Sequence, residues 1–375
     1  MKKRVYVGIY TVDVDMVSGQ MEIISAGGEC RNPSFLAVSE SHLYAVEELE
    51  CGGGLVTYDV HSDGRLERIS RVGLTGSAYC HVTVLPGGKA LAVSAYNSGG
   101  FVISPIVDGV VKEPVQEFSY TGKGVNPIRQ EGPHTHSAWI SPNGERLFVC
   151  DLGLDRIYIY RLLHTDGNDI CDVMDKDIDK AGYSNSVENP GDSMSVEAMD
   201  DEAFGKERYI REGEVAYIQT PEGSGPRHLC FDKAKHIMYV VAELTSKVLA
   251  YRLDKDYDKA ELIGEYPMLP KDYRGDNLAA DIHISDDGRY VYASNRGHDS
   301  IATYEINEDG KLHFLSHGKC SAKEIRSFTL LADNRILIAG QSSDNLVCCE
   351  VNSSGRIGRQ MSEIRIPRPV CVVKG

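Results

Sequence analysis

Charged side chains stand at two recurrent places in this sequence, where apolar segments begin and where they end. His136 and Arg227 come just ahead of apolar segments, in GPHTHS and GSGPRHL, whereas Glu243 ends IMYVVAE and Arg296 ends VYASNR. Because an isolated charge is costly to bury, we expect these side chains to meet in a polar pocket. The guanidinium group of arginine binds anions through its N–H donors, and a carboxylate or an imidazole can activate water as a general base. The four residue types suit hydrolysis of an anionic ester.

Further polar residues near the same segment ends are candidates for binding a ligand rather than for chemistry. They are His134, His228, Glu48, His81 and Arg326, followed by Asp151, Asp281 and His283. A histidine ahead of a strand can instead bond a backbone carbonyl, so each of them also has a structural interpretation. Metal ligation by His134, His136 and Asp151 is an alternative that their spacing does not select, and we predict no metal and no cofactor.

These candidates sit in a repeated pattern of strands and turns. HSAWISPNGERLFVCDLGLDRIYIYRL from His136, RHLCFDKAKHIMYVVAELTSKVLAYRL from Arg227 and the segment from Asp281 are three clear copies. Weaker copies start at Pro33, Cys80 and Arg326. Each copy reads as a four-stranded antiparallel meander, with turns at sequences such as PNG and DDG. A period of roughly 45 residues with four strands is typical of a β-propeller blade, and a sandwich or barrel would not repeat in this way.

Six copies are visible, and the two ends of the chain together supply a seventh. PVCVVKG at the end matches the first strand of a repeat, while RVYVGIYT and GQMEIIS at the start match later strands. We therefore predict one all-β domain over residues 1–375, a seven-bladed propeller in which both termini close one blade. Residues from about Thr165 to Glu214, rich in acidic and small polar residues, are expected to be an insertion that packs little apolar surface.

The composition narrows the class of partner. Of the 375 residues 42% are hydrophobic, enough for a sizeable core, and the net charge is −15. Such an acidic surface repels nucleic acid and anionic lipid, so neither nucleic acid nor a membrane is an expected partner. No apolar run is long enough to span a bilayer, and the start of the chain resembles a strand rather than a signal peptide. None of the ten cysteines belongs to a CxxC pair, and the pattern favours reduced thiols over disulfides or a zinc site. Reduced thiols are typical of the cytoplasm, where we expect this protein.

Long motifs across the chain resemble the lactonase family of seven-bladed propellers, which includes propeller-type 6-phosphogluconolactonases and carboxy-cis,cis-muconate cyclases. The matching stretches are YVGIYT, NPSFLAVS, YCHV, RQEGPHTHS, DLGLDRIYIYRL, GSGPRH, NRGHDSIATY and PRPVCV. The resemblance implies a site at one mouth of the central channel, built from a histidine, two arginines and a glutamate, which match His136, Arg227, Arg296 and Glu243. It also implies a small anionic sugar lactone as substrate, most simply 6-phosphogluconolactone of the pentose phosphate pathway.

In that chemistry Glu243 or His136 would be the general base, and Arg227 and Arg296 would hold a phosphate or the oxyanion. Three alternatives stay open: a non-catalytic propeller that binds other molecules, a muconate-type cycloisomerase, and a lactonase of an unphosphorylated sugar. A scaffold has no need of charged residues at a channel mouth, but fold alone does not decide function. The sequence leaves the oligomeric state open.

Overall fold

The computed structural model describes residues 1–163, 194–197, 208–211 and 215–375, which form a ring of seven antiparallel sheets. The first strand of each sheet contacts the first strand of the next, from blade 1 through blade 7 and back to blade 1. The expected seven-bladed propeller is thus confirmed. Within the described ranges the one helical element is a 3-10 turn at Pro86–Gly88.

The first three blades follow each other along the chain. Blade 1 contains β4 (Pro33–Ser39), β5 (His42–Glu48), β6 (Gly53–Val60) and β7 (Leu66–Leu74). Blade 2 contains β8 (Tyr79–Val84), β9 (Ala90–Ala95), β10 (Gly100–Val107), β11 (Val110–Val111), β12 (Gln116–Tyr120) and, at its outer edge, β16 (Met194–Glu197). Blade 3 contains β13 (Thr135–Ile140), β14 (Arg146–Asp151), β15 (Arg156–Arg161) and β17 (Ala216–Gln219).

The remaining blades complete the ring. Blade 4 contains β18 (Pro226–Asp232), β19 (Ile237–Ala242), β20 (Lys247–Leu253) and β21 (Ala260–Pro267). Blade 5 contains β22 (Leu278–Ile284), β23 (Tyr290–Arg296), β24 (Ser300–Ile306) and β25 (Leu312–Gly318). Blade 6 contains β26 (Ile325–Leu331), β27 (Arg335–Gly340), β28 (Asn345–Val351) and β29 (Ile357–Arg365). Blade 7 contains β30 (Val372–Lys374), β1 (Lys2–Val7), β2 (Tyr10–Asp15) and β3 (Met21–Ala26).

Blade 7 is built from both ends of the chain, as the split repeat predicts. Val372 pairs with Val7, and Lys374 pairs with Val5, so β30 forms the innermost strand of this blade. The pairing covers the edge of β1 that would otherwise face the channel unpaired.

The apolar character of each strand follows its depth in the blade. The second strand of blade 4, β19, is buried along its whole length because neighbouring blades cover both of its faces. The outermost strand, β21, has no fully buried residue. The continuous apolar runs in the sequence therefore mark middle strands, and the alternating or polar runs mark outer ones.

The turn between the second and third strand of every blade contains a residue with a positive φ, at the end of the turn in blades 1 to 6 and at its start in blade 7. The seven positions are Gly8, Gly52, Gly99, Asp155, Ser246, Asp299 and Asp344. Where the residue is an aspartate, its carboxylate also bonds the next blade: Asp299 accepts from the backbone N–H of Glu324 at 2.8 Å, and Asp344 from that of Arg368 at 2.9 Å. These short polar contacts join the blades at one end of the ring.

The first strand of each of blades 1 to 6 carries a β-bulge near its start. Between Thr135 and Ser137 the pairing with β14 skips His136, and between Pro226 and His228 the pairing with β19 skips Arg227. The same irregularity occurs in the first strands of blades 1, 2, 5 and 6. A bulge re-aims a side chain without ending the strand, so it is a natural device for building a site.

The segment from Thr165 to Glu214 lies mostly outside the described residues. Of its described part, Tyr209 and Ile210 are buried beside blades 2 and 3, and Ile210 forms a β-bridge with Leu162. These two residues continue the core, and the expectation of little apolar packing for the rest of the segment falls outside the described residues. Among the residues that the structure describes, no helix is long and apolar enough to cross a membrane, and nine cysteines are free thiols.

Candidate active site

Two sets of equivalent positions converge at one end of the ring. The first set is the bulged residues of the inner strands, which include Ser34, Cys80, His136, Arg227 and Arg326. The second set lies at or just past the end of the second strand and includes Glu48, Tyr96, Glu243 and Arg296. Because the two strands are antiparallel, the start of one lies beside the end of the other, and the ring brings all these positions to the same mouth.

Glu243 is at the centre of the charged cluster. Its Oε1 accepts a hydrogen bond from Arg129 Nη2 at 2.6 Å, and its Oε2 accepts one from Arg296 Nη2 at 2.8 Å. Arg227 Nε lies 2.9 Å from the same Oε2. The side chain is only 4% exposed, and the three guanidinium groups overcome the burial and lower the pKa of Glu243 to about 2. Glu243 is thus a carboxylate whose two oxygens are already shared among three cations.

Arg227 is a fully buried cation held from two sides. Its Nη1 donates to the backbone oxygen of Ala280 at 2.6 Å and lies 3.2 Å from His228 Nε2. Although Nε is close to Glu243, its N–H is not aimed at the carboxylate, so this contact is an ion pair and not a hydrogen bond. Burial, together with the like charge of Arg296, lowers the pKa of Arg227 to about 9, which still leaves it charged at neutral pH.

His228 and Asp281 form a buried hydrogen-bonded pair next to Arg227. His228 Nδ1 lies 3.0 Å from Asp281 Oδ1, and burial lowers the pKa of His228 to about 4, so the imidazole is neutral at pH 7. A neutral ring that donates from Nδ1 to the carboxylate must accept at Nε2, which matches the nearby Arg227 Nη1 donor. Asp281 also accepts from the backbone N–H of Phe328 at 3.1 Å and therefore links blades 4, 5 and 6.

His136 presents a neutral imidazole next to the arginines. It is buried, and both burial and the charge of Arg227 hold its pKa well below the usual value. Its ring meets those of Tyr96 and His228 edge to face, with centroids 5.7 and 5.4 Å apart. No described residue provides a hydrogen-bond partner for Nδ1. That nitrogen is therefore a buried polar atom that the described residues leave unsatisfied.

Arg326 and Glu48 close the mouth on the side of blade 7. Arg326 Nη2 approaches Glu48 Oε2 at 3.4 Å, and both side chains are partly exposed. The positive charge of Arg326 lowers the pKa of both Arg227 and Arg296, which places it in the same electrostatic cluster. The cluster thus holds four arginines, Arg129, Arg227, Arg296 and Arg326, together with the carboxylates of Glu48, Glu243, Asp281 and Glu324.

Arg129 and Tyr96 belong to the cluster but were not among the residues predicted from the sequence. Arg129 precedes GPHTHS in a loop without a repeat equivalent, and its Nη2 also donates to the hydroxyl of Tyr96 at 3.1 Å. Tyr96 holds the position in blade 2 that Glu243 holds in blade 4. An alignment of the repeats on their strand ends would have identified Tyr96, whereas Arg129 offered no such signal.

Two predicted binding residues have other surroundings. His134 stacks on Tyr96 with ring centroids 4.4 Å apart, and its Nδ1 lies 2.9 Å from the backbone oxygen of Tyr96, so it buttresses the rim. His81 is packed among Phe35, Trp139 and His228, and its Nδ1 accepts from the backbone N–H of Ala138 at 3.4 Å. His81 follows the bulge, and its ring meets that of His228 from blade 4, so it fills the channel next to the charged cluster; its role in substrate binding stays a prediction.

The alternative of a metal site at His134, His136 and Asp151 does not match the contacts of Asp151. Asp151 Oδ1 accepts hydrogen bonds from the backbone N–H groups of His134, Gly153 and Leu154 at 2.8 to 3.1 Å. It therefore fixes two loops. In the described ranges no group of three or more histidine, cysteine, aspartate or glutamate side chains is arranged to hold a metal ion.

An open cleft of about 370 Å³ reaches the cluster from the side of blades 5 and 6. Its lining combines Arg296 with three carboxylates and four neutral residues: Asp276, Asp299, Glu324, Asn277, Leu278, Gly297 and Ser342. The nitrogen Nε of Arg296 is buried without a hydrogen-bond partner among the described residues, as is the Nε of Arg227. Unpartnered buried donors are costly, and a bound anion would satisfy them.

Fold and site together define a seven-bladed propeller with an arginine-rich pocket at one mouth of its channel. A family model described as lactonase, 7-bladed beta-propeller, matches residues 2–176 and 203–374. The chain belongs to this lactonase family, and its enzyme class is that of carboxylic-ester hydrolases of the 6-phosphogluconolactonase-like type.

Relatives and solved structures resemble the chain over nearly its full length. A 6-phosphogluconolactonase of Bacillus subtilis is 28% identical over 372 residues, which cover 97% of this chain and 93% of the relative. A 6-phosphogluconolactonase of Formosa agariphila is 29% identical, over 91% of this chain and 87% of the relative. The structure of a periplasmic gluconolactonase of Pseudomonas aeruginosa superposes with a TM-score of 0.82 at 24% identity, covering 100% of this chain and 99% of that one, and it supports the fold.

Proposed function

We propose that this protein hydrolyses 6-phosphogluconolactone to 6-phosphogluconate at the charged mouth of the propeller. The observation that carries the proposal is the gathering of four arginines at one mouth of a chain with net charge −15, where Arg227 and Arg296 each keep a buried Nε donor without a partner among the described residues. An anionic substrate needs such a local positive site, because the rest of the surface repels it. The similarity to proteins named 6-phosphogluconolactonase supports the sugar lactone as substrate.

In the proposed reaction, a water oxygen attacks the lactone carbonyl carbon, and the bond from that carbon to the ring oxygen then breaks. The imidazole of His136 takes the proton from the attacking water and returns it to the ring oxygen as that oxygen leaves. The low pKa of His136 makes it a modest base, but its conjugate acid is correspondingly strong, which favours the second transfer. A lactone is an activated ester, so a modest base is sufficient.

The arginines stabilise the negative charge that develops on the carbonyl oxygen. Arg227 and Arg296 have unpartnered Nε donors in a buried setting, where a hydrogen bond to an oxyanion is worth more than in water. Glu243 holds these two groups in place and neutralises part of their repulsion. Since both of its oxygens are occupied, we assign Glu243 a positioning role, and the general base is His136 rather than Glu243.

The test is an assay of the purified protein on three freshly prepared substrates: 6-phosphogluconolactone, glucono-1,5-lactone and a carboxymuconate. The rate of spontaneous hydrolysis is subtracted in each case. We expect the highest kcat/KM for 6-phosphogluconolactone and a loss of about 10²–10³ in kcat for Arg296→Ala, the range for a lost oxyanion donor. The exposed Arg65→Ala is the control and keeps full activity.

Each other outcome points to a named alternative. Cyclisation of the carboxymuconate indicates the cycloisomerase, and a preference for glucono-1,5-lactone indicates a lactonase of an unphosphorylated sugar. Full activity of the Arg296 variant contradicts the assigned site, and inactivity of the wild-type protein on all three substrates favours a binding protein. A cytoplasmic location is part of the proposal, since a sugar phosphate is formed and consumed inside the cell.

A further inference from the structure

Arg129 stands apart from the other arginines of the cluster in its origin and exposure. It comes from the loop between blades 2 and 3, whereas Arg227, Arg296 and Arg326 belong to inner or second strands. Its side chain is 32% exposed, compared with 2% for Arg227 and 11% for Arg296. Arg129 thus lies on the solvent side of Glu243, and the other two partners of this carboxylate lie deeper.

The loop holds Arg129 in a fixed position. Just before it, Asn126 Oδ1 accepts hydrogen bonds from the backbone N–H groups of Ile128 and Arg129, both at 3.1 Å. Just after it, the fully buried Gln130 donates to the backbone oxygen of Leu152 at 2.9 Å and accepts from the N–H of Asn126 at 3.0 Å. Residues on both sides of Arg129 are therefore anchored, which lowers the entropic cost of using its side chain to bind a ligand.

Arg129 and Tyr96 leave several donors available. The two hydrogen bonds of Arg129, to Glu243 and to Tyr96, both come from Nη2. A guanidinium has five N–H donors, so Nη1 and Nε keep three for a ligand. The hydroxyl of Tyr96 accepts from Arg129 and so retains its own hydrogen to donate. A fork of guanidinium donors beside a hydroxyl is a suitable receptor for a phosphate group.

The chemistry of the substrate separates its two ends. The lactone carbonyl requires the buried donors and the imidazole, whereas a doubly charged phosphate is costly to bury and is better placed near solvent. From this we infer that Arg129, with the hydroxyl of Tyr96, forms the subsite for the phosphate group and sets the preference for a phosphorylated lactone. The inference rests on the proposed function, which it refines by naming the residues that distinguish the two lactones.

The experiment compares wild type, Arg129→Gln, Tyr96→Phe and Arg326→Gln on 6-phosphogluconolactone and on glucono-1,5-lactone. Arg326 is the matched control, since it is a second partly exposed arginine of the same mouth. For Arg129→Gln we expect the loss in kcat/KM to be about 10- to 100-fold larger on the phosphorylated lactone, mainly through KM, as for a lost charged hydrogen bond. Tyr96→Phe follows the same direction with a smaller change, and Arg326→Gln affects both substrates alike.

A binding measurement separates this inference from the proposed function. Calorimetry with 6-phosphogluconate, with and without inorganic phosphate as competitor, reports the subsite without turnover. Weaker binding to the Arg129 variant than to wild type and the Arg326 variant supports the subsite even if no lactone is hydrolysed. Equal losses on both lactones, unchanged 6-phosphogluconate affinity in the Arg129 variant, or a phosphate-selective loss in the Arg326 variant each overturn it.

Discussion

Arg296 occupies in blade 5 the place that Glu243 occupies in blade 4, and the two side chains meet at 2.8 Å. Both follow the second strand of their blade, so rotation by one blade carries one position onto the other. The same position therefore carries a negative charge in blade 4 and a positive charge in blade 5. Because neighbouring blades bring equivalent positions close together, these two charges form an ion pair between the blades.

Replacement of Glu243 by Gln should reduce both activity and stability. The amide cannot balance three guanidinium groups, and removal of one partner from a buried ion pair costs about 3–5 kcal/mol. Denaturant unfolding together with kcat/KM measures the two effects. Glu261→Gln is the control, because Glu261 pairs with Arg252 at 3.8 Å on the surface and should change the stability by less than about 1 kcal/mol. An unchanged unfolding midpoint for the Glu243 variant would contradict the central role of this carboxylate.

The stability of the protein should fall as the pH decreases from about 6.5 to 4. Burial lowers the pKa of His228 to about 4, and it also lowers the pKa of His81 and His136. A lowered folded-state pKa means that the unfolded chain takes up the proton first, so the stabilisation is complete above 6.5 and is lost as the pH falls. His81→Phe keeps the aromatic packing and should make the dependence shallower, whereas the exposed His313→Gln should leave it as it is. Urea unfolding at a series of pH values measures the slope.

The catalytic rate should respond to pH differently from that of an enzyme with an ordinary histidine base. Because the pKa of His136 is held well below 6.5, its imidazole stays neutral between pH 8 and 6. On the proposed mechanism, kcat/KM for glucono-1,5-lactone, which has no phosphate group to titrate near pH 6, therefore remains level across this range after subtraction of the spontaneous hydrolysis. A decline centred near 6.5, as expected from an unperturbed imidazole, would argue against His136 as the base.

Ile210→Ala should destabilise the protein although Ile210 lies in the acidic segment. The side chain is fully buried, and loss of such a side chain typically costs about 2–5 kcal/mol. Ile23→Ala, at a position that is 42% exposed, serves as the control. By composition, deletion of residues 168–190 should be tolerated, since a change in loop length costs only about 1 kcal/mol. Thermal unfolding measures both variants. A larger drop in Tm for the deletion than for Ile210→Ala would contradict the expectation that residues 168–190 contribute little to stability.

The repeats in the sequence predict the ring and most of its charged mouth, but they do not predict which neighbouring residue faces the pocket. In YCHV, HTHS and PRHL the bulged residues are Cys80, His136 and Arg227, and the residues one step later are His81, Ser137 and His228. The rings of His81 and His228 meet each other from blades 2 and 4, so the residues one step after the bulge fill the channel beside the charged cluster. A bulge leaves no clear mark in a single sequence, so the sequence does not separate these two sets of side chains.

Arg129 was missed for a different reason. It belongs to a loop that occurs once, so no repeat predicts its place, and its ion pair with Glu243 joins residues 114 positions apart. Only the folded ring brings such a loop to the mouth. Features built by repetition are therefore accessible from the sequence, and features contributed by unique loops are not.

The bulges of the inner strands have a consequence for how such a site can change. A bulged residue is not opposed by a partner in the ladder, so its replacement leaves the pairing of the sheet intact. Ser34, Cys80, His136, Arg227 and Arg326 are five such positions around the channel. Ser34 and Cys80 are uncharged, and their side chains bond backbone oxygens of the next blade, so a replacement there gives up a contact between blades but leaves the sheet paired. Substitutions confined to these five positions offer a route to new substrates on the same fold, one blade at a time.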